Sequence, residues 1–68
     1  MTITLNGEPS EIGERAAVTD LIATLGLKPE RIAVEVNGRI IRRAAWDSTS
    51  LVEGDKVEIV HFVGGGAR

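Results

Sequence analysis

Polar and apolar residues alternate from the start of the chain. Thr2-Ile3-Thr4-Leu5 puts Ile3 and Leu5 on one face, and Asn6-Gly7 follows at once. Period-two alternation marks a half-buried strand, and Asn-Gly supplies the positive φ angles of a type I′ turn. A hairpin is therefore predicted, with Glu8–Ile12 as its return strand. Pro9 has no N–H to give to a ladder, which assigns that strand to a sheet edge. The period then changes. Val18, Leu21, Ile22 and Leu25 recur at i, i+3, i+4 and i+7, the spacing of one helical face. Thr19 reads as the N-cap of a helix over 19–25, and Asp20 complements its positive end. Gly26 reads as the left-handed stop and Leu27 as the apolar contact of a Schellman-type end, while Pro29 prevents continuation.

Alternation returns with Ile32, Val34 and Val36. Asn37-Gly38 predicts a second tight hairpin, leading to a short strand at Arg39-Ile40-Ile41. Residues 42–51 read as irregular, with Trp46 covering the edge of the core. Glu53-Gly54-Asp55 makes a turn, and Lys56 to Val63 forms the last and longest strand, placed inside the sheet. A lone amphipathic helix cannot bury its stripe without a sheet to receive it. The pattern thus predicts one α+β domain, a mixed sheet of about five strands with one main helix over Ile3, Leu5, Val34, Val57 and Ile59.

Composition narrows the functional classes. Sixty-eight residues allow one small domain. The absence of cysteine removes disulfides, thiolate metal sites and a cysteine nucleophile, and suits a reducing cytoplasm. No apolar run is long enough to span a bilayer and the first residues do not form a signal peptide, so a cytoplasmic protein without a membrane partner is expected. A net charge of −2 argues against nonspecific nucleic-acid binding. Arg39, Arg42 and Arg43 are read as a solvated hairpin and loop. Glu8, Glu11, Glu14, Glu30, Glu53 and Glu58 are scattered over turns and outward positions, with no pocket to set a catalytic pair. His61 has no Ser, Cys or second His near it in sequence, and no Walker or Rossmann glycine loop occurs. The residues point away from an enzyme and from a metal site.

The unusual chemistry lies at the C-terminus. Val57 and Ile59 are expected to meet the helix, which turns Val60 and Phe62 to the other face. With Val63, these form a candidate partner-docking patch. The domain is expected to span 1–63, followed by a flexible Gly-rich tail, 64–68. Gly64, Gly65 and Gly66 make the tail thin enough to thread a channel that a side chain would block. A terminal glycine also leaves its carboxylate unhindered for activation.

The body of the chain resembles the ThiS family of small sulfur carriers, within the ubiquitin-like β-grasp superfamily. The resemblance covers essentially the whole length. It is carried by Ile3-Thr4-Leu5-Asn6-Gly7, Val18-Thr19-Asp20-Leu21-Ile22 and Ala33-Val34-Glu35-Val36-Asn37-Gly38. Arg43 with Trp46, Leu51-Val52-Glu53-Gly54-Asp55-Lys56-Val57-Glu58-Ile59 and Phe62-Val63-Gly64-Gly65-Gly66 complete it. It implies a β-grasp fold and a carrier role in forming the thiazole of thiamin. It further implies that Gly66 carries the sulfur: its carboxylate is adenylated by an E1-like (ThiF-like) partner using ATP, then converted to a thiocarboxylate. Sulfur would come from cysteine through a desulfurase persulfide, and a thiazole synthase (ThiG-like) would accept it. No cofactor would be bound by this chain.

Two alternatives stay open at this point. One is a carrier for molybdopterin or another thiocarboxylate pathway. The other is a β-grasp binding module without covalent chemistry. Family members normally end at the second glycine, whereas Ala67-Arg68 follow Gly66 here. With them attached Gly66 has an amide and no free carboxylate. Either a protease trims them, or they are foreign to the natural chain, or the protein does not carry sulfur. Arg42 also stands where relatives often have proline before the matching arginine.

Overall fold

The computed structural model describes residues 1–62. Val63 and the tail expected at 64–68 lie outside the described residues. Five strands form one mixed sheet: β1 (Thr2–Leu5), β2 (Glu8–Glu11), β3 (Ile32–Val36), β4 (Arg39–Ile41) and β5 (Lys56–His61), in the order β2-β1-β5-β3-β4. β5 is the central strand, parallel to β1 and antiparallel to β3. The inner placement of the last strand is thus as expected, although the strand ends at His61. Phe62 adds one more bond, its N–H donating to the Arg31 carbonyl at 2.9 Å.

Both Asn-Gly pairs make the turns they predict. Asn6 (φ 48) with Gly7 (φ 86), and Asn37 (φ 53) with Gly38 (φ 84), occupy the left-handed region that a type I′ turn needs. β2, which carries Pro9, is an edge strand, and it stops at Glu11 rather than Ile12. Ile12 still donates its N–H to the Met1 carbonyl at 2.8 Å.

The helix α1 runs Val18–Leu25, one residue earlier than the sequence suggests. Thr19 is not its N-cap, because Ala17 holds that position and has no side-chain acceptor. The Thr19 hydroxyl instead donates to Asp47. The Asp20 carboxylate reaches back to accept from the Ala17 N–H at 2.8 Å, satisfying one free donor of the helix start. At the other end Gly26 is left-handed (φ 70). Its N–H donates to Ala23 and the Leu27 N–H to Ile22, the paired bonds of a Schellman end. Leu25 departs from the expected stripe, at 40% exposed. The chain reverses directly after it, and Leu27 packs against the core instead.

Val18, Leu21 and Ile22 of α1 join Ile3, Val34, Val57 and Ile59 of the sheet in one core, with Leu5 packed at its margin. The stretch read as irregular contains a short 3-10 helix, Arg43–Ser48. It closes the core with Trp46, whose indole Nε1 donates to the Ile41 carbonyl at 2.9 Å. All this cover lies on one side of the sheet.

Candidate functional site

Side-chain clamps fix β5, the strand that leads to the tail. β1 ends beside its middle, and there the Asn6 side-chain oxygen accepts the Ile59 N–H at 2.8 Å, replacing a missing strand residue. At its start, the Asn37 oxygen accepts the Lys56 N–H at 3.0 Å. The Asn37 amide nitrogen donates to Asp55 Oδ1 at 2.9 Å, and Asp55 Oδ2 accepts the Val52 N–H at 2.9 Å. Asp55 is only 9% exposed, so its buried charge rests on these two donors. The Asn-Gly turns therefore do two things: they reverse the chain and they lock the central strand.

Burial alternates along β5. Val57 and Ile59 face the helix, and Lys56, Glu58 and Val60 face outward. Val60 and Phe62 are 56% and 58% exposed, the outward facing that the alternation of the strand predicts. Val63, the third residue of that patch, lies outside the described residues. Val60 stands opposite Ala33, and Glu58 opposite Glu35. Glu35 in turn stands opposite Ile40, which is 70% exposed on this same face. Ile40 was not among the sequence candidates. A three-residue strand shows no period of its own, and its facing follows only from its register with β3. The bare face thus carries Ile40, Val60 and Phe62 around two carboxylates.

His61 is exposed at the end of the sheet. Among the described residues no three His, Cys, Asp or Glu side chains are grouped so as to hold a metal ion. No helix there is long and apolar enough to cross a membrane. Gly64, Gly65 and Gly66, the residues on which the sequence places the chemistry, lie outside the described residues, so the structure brings the bare sheet face and not the tail into view.

A family model described as the ThiS family matches residues 3–66. The chain belongs to the ThiS family. A thiazole synthase of Magnetococcus marinus is 41% identical over 66 residues, which is 97% of this chain but 20% of that protein's length. The sulfur carrier protein ThiS of Bacillus subtilis is 38% identical over 53 residues, covering 78% of this chain and 80% of that one. The crystal structure of the thiamine biosynthesis protein ThiS from Geobacter metallireducens superimposes with a TM-score of 0.85 at 40% identity. That match covers 97% of this chain and all of the other. The ThiS family membership and the ubiquitin-like β-grasp fold are thereby shown.

Proposed function

We propose that this chain is a sulfur carrier for thiazole formation in thiamin biosynthesis, with Gly66 as the carrying residue. One observation supports it most: the family match runs to residue 66 and stops there, leaving Ala67-Arg68 beyond it. The relatives add direction, since one is named a sulfur carrier and another a thiazole synthase.

The chemistry needs little from the domain except presentation. A carboxylate is a poor electrophile because its negative charge is shared by both oxygens. In an E1-like adenylating partner, the Gly66 carboxylate oxygen attacks the α-phosphorus of ATP and pyrophosphate leaves. The acyl carbon now bears AMP as a leaving group. A persulfide sulfur, derived from cysteine by a desulfurase, attacks that carbon and expels AMP. Cleavage of the S–S bond by a thiol leaves the thiocarboxylate on Gly66 and a disulfide on the donor. A thiazole synthase then takes the sulfur. Gly64 and Gly65 give the tail its narrow cross-section, while Val60, Phe62, Val63 and Ile40 hold the domain against the partner. This chain binds no cofactor of its own, and ATP belongs to the adenylating enzyme.

Intact mass of the protein isolated from its own cells tests this reading. The expected species ends at Gly66, and part of it is heavier by the exchange of one oxygen for sulfur. A population that keeps Ala67-Arg68 and never gains sulfur would contradict it.

A further inference from the structure

Charge is distributed unevenly along the sheet. Where β5 gives way to the tail, Phe62 bonds the Arg31 carbonyl, and the Arg31 N–H bonds the Lys28 carbonyl at 2.9 Å. β4 runs antiparallel to β3 and so heads toward the same end, and Arg42 prolongs it in extended backbone (φ −63, ψ 145) before Arg43. Lys28, Arg31, Arg42 and Arg43 therefore gather at the end from which the tail departs, and all four are exposed. Glu30 is the carboxylate among them.

At the opposite end acidic residues outnumber the cations Arg15, Arg39 and Lys56. Glu53 accepts the Thr2 N–H, Glu11 stands opposite Thr2, and Glu11 and Glu14 lie 3.9 and 3.4 Å from the Met1 ammonium. Asp20 and Asp47 lie at the first turn of α1. Those contacts of Met1 are the ion pairs among the described residues, so none of the four cations at the tail end is paired with a described carboxylate, and Glu30 offsets only part of their charge. A chain of net charge −2 thus presents a positive end. That end borders the exposed Val60 and Phe62, with Glu58 and Glu35 further along the same face, so apolar anchors lie beside a charged rim as in many protein interfaces.

We propose that Lys28, Arg31, Arg42 and Arg43 form a cationic rim that steers the tail-bearing end onto an acidic collar around the tail entrance of the thiazole synthase. The inference rests on the proposed function for its choice of partner. A rim of this kind acts on the rate of encounter more than on the lifetime of the complex. It also orients the approach, because the acidic end of the domain is repelled from the same collar. A nucleic acid would offer negative charge too, but the patch borders aliphatic residues and one phenylalanine rather than a series of stacking rings.

The test is the association rate with the thiazole synthase of the same organism, immobilised for surface plasmon resonance at low and high sodium chloride. The wild-type rate should fall about tenfold or more as salt rises. Arg42→Glu/Arg43→Glu should lower it about tenfold at low salt with the dissociation rate within about twofold. Lys28→Glu/Arg31→Glu should act alike, and keeps the test valid if the first pair unfolds. Glu8→Lys, away from this end, should leave the rate within about twofold, which separates a local rim from net charge.

A salt-independent rate, an unaltered rate in both charge-reversed pairs, or no binding to the synthase would overturn the proposal. So would rim-dependent binding to single-stranded RNA in its place. The thiocarboxylate mass, read on the variants at saturating adenylating enzyme, reports the carrier function separately. Its absence in every protein would strike that reading and not the rim.

Discussion

Truncating Ile59 to Ala probes the assignment on which the proposed docking face depends, namely which side of β5 meets the helix. Ile59 is 8% exposed in the core with Val34 opposite it, and its N–H is held by the Asn6 side chain. The alanine variant keeps that hydrogen bond and loses three carbons. At about 0.8 kcal/mol per buried carbon, transfer alone amounts to about 2.4 kcal/mol. The cavity left behind raises the loss to about 3–4 kcal/mol, within the range seen for such truncations. A domain of this size has about 3–10 kcal/mol in total, so the variant sits near the edge of folding. Urea unfolding followed by circular dichroism would measure it, with the slope m unchanged if the native state stays compact. The midpoint of thermal unfolding should fall by roughly 12–32 °C. Val60→Ala, one residue on and 56% exposed, should change stability by no more than about 0.5 kcal/mol. A loss under about 0.5 kcal/mol at Ile59 together with a large one at Val60 would show that the facing is reversed.

Asn37→Asp should destabilise the domain by about 1–3 kcal/mol near neutral pH, because a carboxylate replaces the amide that donates to Asp55. Denaturant titration beside Asn37→Ser would measure it, and a neutral effect would mean the clamp on β5 is idle. Phe62→Asp should leave the unfolding midpoint within a few degrees and weaken binding to the thiazole synthase or the adenylating enzyme by about 2 kcal/mol or more. Calorimetric titration reads it, and unchanged affinity for both partners would remove the patch from the account.

Much of the fold was legible because its punctuation is local. Asn6-Gly7, Asn37-Gly38 and Gly26-Leu27 each demand a backbone that only a turn or a helix end supplies, and each takes it. What escaped depended on distant partners. Thr19 has the chemistry of an N-cap, but Asp47 engages its hydroxyl and Asp20 does the reaching back, so the helix starts a residue earlier. Leu25 satisfies the helical period yet lies where the chain reverses, and Leu27 takes its place against the core. The 3-10 turn around Trp46 has no period of its own and is held by one indole bond to the end of β4.

The same division holds at the site. Val60 and Phe62 could be placed from the alternation of β5 alone. Ile40 needed the β3–β4 register, and the grouping of Arg42 and Arg43 with Lys28 and Arg31 needed the topology that brings two separate segments to one end. The role proposed for Gly66 rests on the glycine run and on the family match that ends there, since the tail lies outside the described residues.

The central claim, that Gly66 must present a free carboxylate, is tested most directly by ATP–pyrophosphate exchange with the adenylating enzyme. Three proteins are compared: the 68-residue chain, the chain truncated after Gly66, and the truncated chain carrying Gly66→Val. Exchange requires a free carboxylate that forms the acyl-adenylate reversibly, so the truncated chain should support it and the full-length chain, whose Gly66 carbonyl is an amide, should not. The valine variant should be impaired, because a β-branched side chain confines the backbone and widens the narrow tail. Equal exchange from the full-length chain, or none from the truncated one, would contradict the assignment of Gly66 as the carrying residue.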